Sequence, residues 1–190
     1  MVLLKRAILL LTVLATAACG TTSNLPLGTN IAENDLQSVV VMGVNPRTRV
    51  QAFRGRMDGQ GWRLDKLANA SLNTTPEGGY IVAQVEPNSS GEIYGVNRIL
   101  PTGAGVLSVC TGGMTAVFEI PPRSVVYVGD LNIANNGGYR IQVGYDFEKA
   151  AAFMRTNYPA MASRLMKGNL RAAKVLNGEC GSGSFMVIVI

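Results

Sequence analysis

The residues that could do chemistry are few, and what is missing narrows the field. The chain contains no histidine. That removes Ser-His-Asp and Cys-His nucleophile arrangements and any histidine-based metal site. Twelve carboxylates are present and none forms a close sequence cluster. Asp130 is the most unusual of them, because it follows Gly129 inside an apolar run. A buried carboxylate must be paired or protonated, so Asp130 is expected to cap a turn or to pair with an arginine such as Arg123 or Arg140. Ser163 and Lys167 stand four residues apart and would share a face if they lay on one helix. That is the nearest approach to a Ser-Lys site, and no supporting motif accompanies it. Glycine-rich stretches at Gly103-Ala104-Gly105 and Gly181-Ser182-Gly183-Ser184 lack the following helix that would hold a phosphate, and they read as turns.

Three cysteines remain, and the first sits in a recognisable setting. Lys5 and Arg6 precede Ala7–Ala18, an uncharged run led by Ile8, Leu9, Leu10, Leu11, Val13 and Leu14. Twelve uncharged residues suit a secretory signal, which has an apolar core of roughly 7–15, and fall short of the ~20 that span a bilayer. Leu14-Ala15-Thr16-Ala17-Ala18-Cys19-Gly20 resembles the lipobox of bacterial lipoproteins, with Thr16 where the family more often has leucine. The resemblance implies a diacylglycerol on the Cys19 sulfur, cleavage before Cys19 and acylation of its new amino group. Gly20 in place of aspartate implies the periplasmic face of the outer membrane. A second reading is an ordinary cleavable signal followed by a chance cysteine.

Lipid on Cys19 would leave Cys110 and Cys180 in an oxidising compartment, where disulfides persist. They are then expected to pair with each other. The alternative is two buried thiols packing as small hydrophobes. Loss of Lys5 and Arg6 lowers the net charge from +5 to +3, which gives no case for nucleic acid. Neither a metal nor any other cofactor is expected. The expected partners are the membrane, through the anchor, and a protein of the envelope.

The divisions follow: a signal over 1–18, the lipidated cysteine and a flexible tether over 19–33, and one domain over 34–190. Leu36–Val44 reads as a buried strand with Val50–Phe53 as its partner. Arg47, Arg49, Arg54 and Arg56 make this the most basic segment. They read as solvated positions around a strand, with a surface for lipid phosphates or an acidic partner as the alternative. Tyr80–Val85 and Glu92–Leu100 read as a hairpin across a Pro-Asn-Ser-Ser-Gly turn. Val106–Cys110 and Met114–Ile120 read as another strand pair, and Ser124–Ile133 as a strand. Asn135-Asn136-Gly137-Gly138 is the clearest hairpin signal, followed by the strict alternation of Tyr139, Ile141, Val143 and Tyr145. The period then changes. Asp146 suits an N-cap, and Phe147, Ala150, Ala151, Met154 and Tyr158 share one helical face. A second short helix starts at Pro159 and runs through Leu165 and Met166 to Gly168. Leu170–Leu176 and Phe185–Ile190 close the chain as strands, the last of them inside a sheet. The aromatic residues Trp62, Tyr80, Tyr94, Tyr127, Tyr139 and Tyr145 are expected mainly in the core, with a ligand groove as the alternative.

About nine strands with one or two short helices inserted near 146–167 predict a mainly β fold, an antiparallel β-sandwich. Tyr80–Leu100, Phe118-Glu119-Ile120-Pro121-Pro122 and Val126–Leu131 resemble uncharacterised bacterial envelope lipoproteins with a transthyretin-like or carboxypeptidase-regulatory-like sandwich, over roughly residues 80–145. That resemblance carries no catalytic residues. The function expected is non-enzymatic, that of a lipid-anchored structural or binding module. Two alternatives stand beside it: an accessory lipoprotein of a secretion or surface-fibre assembly, and an enzyme with a carboxylate or Ser-Lys site.

Overall fold

The structure is a computed structural model that describes residues 22–32, 37–65, 70–181 and 183–189. Cys19 and the segment read as a signal, residues 1–18, lie outside them. The described residues are mainly β, 51% in strands and 9% helical. Among the described residues thirteen strands join in one sheet, twelve along a continuous path of ladders and one, over Leu165–Lys167, beside it. Its centre is a closed five-strand barrel, not a clear sandwich.

The ring is made by β2 (Arg49–Asp58), β3 (Gly61–Leu64), β12 (Leu170–Val175), β8 (Met114–Phe118) and β6 (Glu92–Leu100), with β6 returning to β2. Every pairing is antiparallel except β3 with β12. Trp62 fills the interior and is fully buried. Its ring is admitted because Gly55 and Gly95 flank it: a Cβ on either would lie within 2.7 Å of indole atoms. The indole N–H donates to the Ile93 carbonyl at 3.3 Å. Burying that group with its donor satisfied avoids a desolvation cost of about 1–3 kcal/mol.

Against the barrel lies a second set of strands: β5 (Tyr80–Val85), β1 (Ser38–Asn45), β9 (Val125–Asn135), β10 (Tyr139–Gly144) and β13 (Gly183–Val189). β1 runs parallel to β9 and antiparallel to β5. Alternation sends Val40, Met42 and Val44 toward the barrel core. Val39 and Val41 go to the other face, where they meet Ala150, Met154, Tyr158 and Met161. Both faces are covered, which is why β1 reads as an unbroken apolar run. The helices are α1 (Phe147–Asn157) and α2 (Pro159–Ala162). Asp146 caps α1 by accepting from the Lys149 amide at 3.0 Å, and Ala150, Ala151 and Met154 are its buried face.

Several expectations are corrected. The predicted partner of β1 over 50–53 belongs to β2, which pairs with β3, β4 (Leu72–Thr74) and β6 instead. β5 and β6 are consecutive but do not pair: one joins β1 and the other the barrel. β7 (Leu107–Ser108) pairs with β6 and β13, not with β8. α2 stops at Ala162, and residues Leu165–Lys167 form β11 alongside β9. The β9–β10 hairpin stands as read, with Asn135 opposite Tyr139.

The segment read as a flexible tether is docked wherever it is described. Thr22 Oγ1 donates to the Ser71 carbonyl at 2.7 Å. Asn24 donates from Nδ2 to the Thr75 carbonyl at 2.6 Å and accepts at Oδ1 from the Val82 amide at 3.0 Å. The Leu25 amide donates to the Val82 carbonyl at 2.7 Å. Ser71 and Thr75 flank β4, and Val82 is in β5. β4 and β5 are the two ends of the strand path, so this strap stitches one end to the other. Further along, Tyr158 donates its hydroxyl to the Leu25 carbonyl at 2.7 Å, the Gly28 amide bonds the Asn157 carbonyl at 2.8 Å, and Ile31 is buried. An exposed strand edge is an aggregation hazard, and the strap covers β5 at Val82.

Candidate functional site

The parallel ladder of β1 and β9 slips once. Val41 is opposite Tyr127, but Met42 is opposite Gly129, leaving Val128 as the extra residue. Gly129 accommodates the kink at φ 134°. At the same place β9 changes its other neighbour, from β11 over Val125–Tyr127 to β10 from Asp130 onward. A β-bulge re-aims the side chains that follow it, and here it lays the Asp130 carboxylate across Gly43. A Cβ on Gly43 would collide with Asp130 Oδ1 and lie 2.8 Å from its Cγ.

Asp130 Oδ2 accepts from the Tyr127 hydroxyl at 2.6 Å and from the Asp146 amide at 3.1 Å. The same amide reaches Tyr127 Oη at 2.9 Å. These bonds use one carboxylate oxygen; Oδ1 has no hydrogen-bond partner among the described residues. The expected arginine partner is therefore replaced by a tyrosine three residues back and by a backbone amide. Burial, then the bond to Asp130, pushes the Tyr127 hydroxyl well above its ordinary range, so it stays protonated and donates. Tyr80 is pushed up to about 12 by burial and then by the charges of Asp130 and Asp146.

Around this carboxylate opens a cleft of about 410 Å³, lined by Gly43, Asn45, Gly78, Tyr80, Asp130, Asn132, Gly144, Tyr145, Asp146 and Lys149 among others. The alternation of β1 explains it. Val39 and Val41 lie beneath α1, and the next two residues of the same parity are Gly43 and Asn45. In register with them stand Asp130 and Asn132 on β9, then Gly144 and Gln142 on β10. One sheet face is apolar where the helix covers it and polar where the helix begins. Tyr145 sits at the rim, 47% exposed, its ring 5.0 Å from that of Tyr127.

This arrangement can bind and orient a ligand. Asp146 spends Oδ1 on the helix cap, and Tyr127 is held as a donor. Ser163 and Lys167 are not on one helix: Ser163 ends α2 and Lys167 lies in β11, with Nζ 5.1 Å from the Phe147 ring centre. Among the described residues no group of three or more His, Cys, Asp or Glu could hold a metal ion.

The other predicted residues fall as follows. Cys110 and Cys180 are brought to disulfide distance, with Sγ–Sγ 2.18 Å and Cα–Cα 4.6 Å. Cys19 lies outside the described residues. Arg54 pairs with Glu86, bonds the Tyr94 hydroxyl at 3.3 Å and lines a trough with Arg56, Arg63 and Glu92. Arg63 pairs with Asp58 at 3.0 Å. Of the four arginines singled out from sequence, Arg54 is answered by an acid, and Arg49 instead donates from Nε to Asn73 Oδ1 at 2.8 Å. Of the aromatic residues, Trp62, Tyr94 and Tyr127 are fully buried, and Tyr145 alone is largely exposed. Asn45, Asn132, Gln142 and Lys149 were not singled out from sequence. The signal that marks them is the switch from valine to glycine and asparagine at constant parity in β1. No family model, curated protein or solved structure matches the chain.

Proposed function

We propose that the protein is a non-enzymatic binding module carried by lipid on Cys19 at the periplasmic face of the outer membrane. The observation that carries this reading is the strap. Only Gly20 and Thr21 separate Cys19 from Thr22, three Cα steps with a reach of at most about 11 Å, and from Thr22 the chain is fastened to the domain. A lipid at Cys19 would hold the sheet directly against the bilayer, in a restricted orientation, not at the end of a long leash. Two or more acyl chains are needed for durable attachment, since one gives only marginal binding. The cysteine pair at disulfide distance fits an oxidising compartment. Among the described residues no helix is long and apolar enough to cross a membrane. The sandwich expected by resemblance is not needed for this reading. A surface-fibre role by strand acceptance is less favoured, because the strap already occupies β5 at Val82 and the carbonyls flanking β4.

The test is metabolic labelling with an alkyne fatty acid in a bacterial host. The wild type is expected to take the label and sediment with outer membranes. Cys19→Ser is expected to lose both. Unlabelled wild type, or a labelled Cys19→Ser chain, ends this reading.

A further inference from the structure

The geometry points to the Asp130 cleft as a binding site for a neutral saccharide unit. The inference rests on the reading of the domain as a binding module, and not on the anchor. Four features carry it. The first is size: about 410 Å³ falls in the usual range for small-molecule sites, roughly 300–1,000 Å³, and suits one or two sugar rings.

The second is the polar inventory. Asp130 Oδ1 is an acceptor with no hydrogen-bond partner among the described residues, and it shares the cleft with the carboxamides of Asn45 and Asn132. A carboxamide offers donors and an acceptor side by side. A carboxylate beside two carboxamides matches adjacent hydroxyls, each of which both gives and takes a hydrogen bond. Lys149 adds donors from the helix side.

The third is rigidity. Asp130 is fixed by Tyr127 and by the Asp146 amide. Asn45 and Asn132 are opposite each other on paired strands. Strand pairing thus sets the spacing of their backbones before any ligand arrives, which lowers the entropy cost of binding. The fourth is Tyr145, an exposed ring at the rim whose apolar face can lie along the C–H face of a pyranose while its hydroxyl stays in water.

Other ligand classes fit less well. An anion would meet Asp130 and Asp146 against the single charge of Lys149. A divalent cation would lack a third acidic ligand among the described residues and would face that lysine. An apolar ligand would leave Asp130 and the carboxamides desolvated and unpaired.

The experiment is calorimetric titration of the full chain, in a detergent without a sugar headgroup, with maltotriose, cellotriose and N,N′-diacetylchitobiose. Sialyllactose serves as the acidic control. Saturable binding of millimolar strength or better is expected for at least one neutral sugar, with sialyllactose weaker. Asn132→Ala and Tyr145→Ala are each expected to weaken it about tenfold, with Tm unchanged for the exposed Asn132. No saturable heat with any neutral sugar overturns the assignment. Undiminished affinity in both variants, or tighter binding of sialyllactose, overturns it equally. Fatty-acid labelling of Cys19 is scored separately, so the anchor and the sugar site can fail independently.

Discussion

Asp130 and Gly43 share one volume between them, and each constrains the other. Gly43→Ala is expected to destabilise the fold by about 1–3 kcal/mol, the usual cost of overpacking. In an Asp130→Ala background the obstructing carboxylate is gone, and the same substitution should cost markedly less. A double-mutant cycle by urea unfolding measures the difference; strictly additive losses would show that the close approach does not limit residue 43. The sequence marks Asp130 as odd, a carboxylate after glycine in an apolar strand. It does not reveal what holds the carboxylate. An extra residue at Val128 turns Tyr127 and Asp130 to the same place, and bulges leave no fixed sequence signature. Trp62 was legible as a core residue, but its glycine neighbours were not, because Gly55 and Gly95 come from two strands 40 residues apart in the chain.

Elements that depend on local signals were the readable ones. α1 has its cap at Asp146, its apolar face at 3.6-residue spacing and a proline soon after it, and the structure follows each signal. The β9–β10 hairpin is set by its Asn-Gly turn. Strand partners were not readable, because any strand with the right alternation can satisfy the ladder hydrogen bonds of any other. That is why β5 and β6, consecutive and separated by a turn sequence, end in different places. The docking of the strap was hard to read for a related reason: its polar residues suggest solvation, yet Asn24 bridges the Thr75 carbonyl beside β4 and the Val82 amide in β5. Asn24→Ala leaves a backbone amide and a carbonyl to find water, and is expected to lower stability by about 1–2 kcal/mol. Chemical unfolding measures it, and hydrogen exchange at the Val82 amide should accelerate in the variant. Unchanged protection at Val82 would mean that the strap does not seal that edge.

At the scale of the molecule, mainly β was legible and ring closure was not. The Cys110–Cys180 pair, 70 residues apart in sequence, links the turn before β8 to the segment after β12. Reducing it is expected to cost up to about 4 kcal/mol in the chain-entropy model. Thermal unfolding with and without reductant checks this; an unaltered Tm in reductant would show that the link adds nothing to the fold.

The parallel pairing of β3 with β12 has a consequence in time. Lys174 and Val175 lie against Gly61 and Trp62, so the ring cannot shut until almost the whole chain is available. β1 waits likewise for β9, about 85 residues downstream. β2 can meet β3 and β1 can meet β5 early, but a chain emerging from its N-terminus keeps β1 without β9 and the ring open until late in synthesis, so completion of the fold is a late and collective event. Long-range pairings of this kind fold slowly. The proposed location would require the chain to cross a membrane before it folds, and late ring closure is compatible with such a passage.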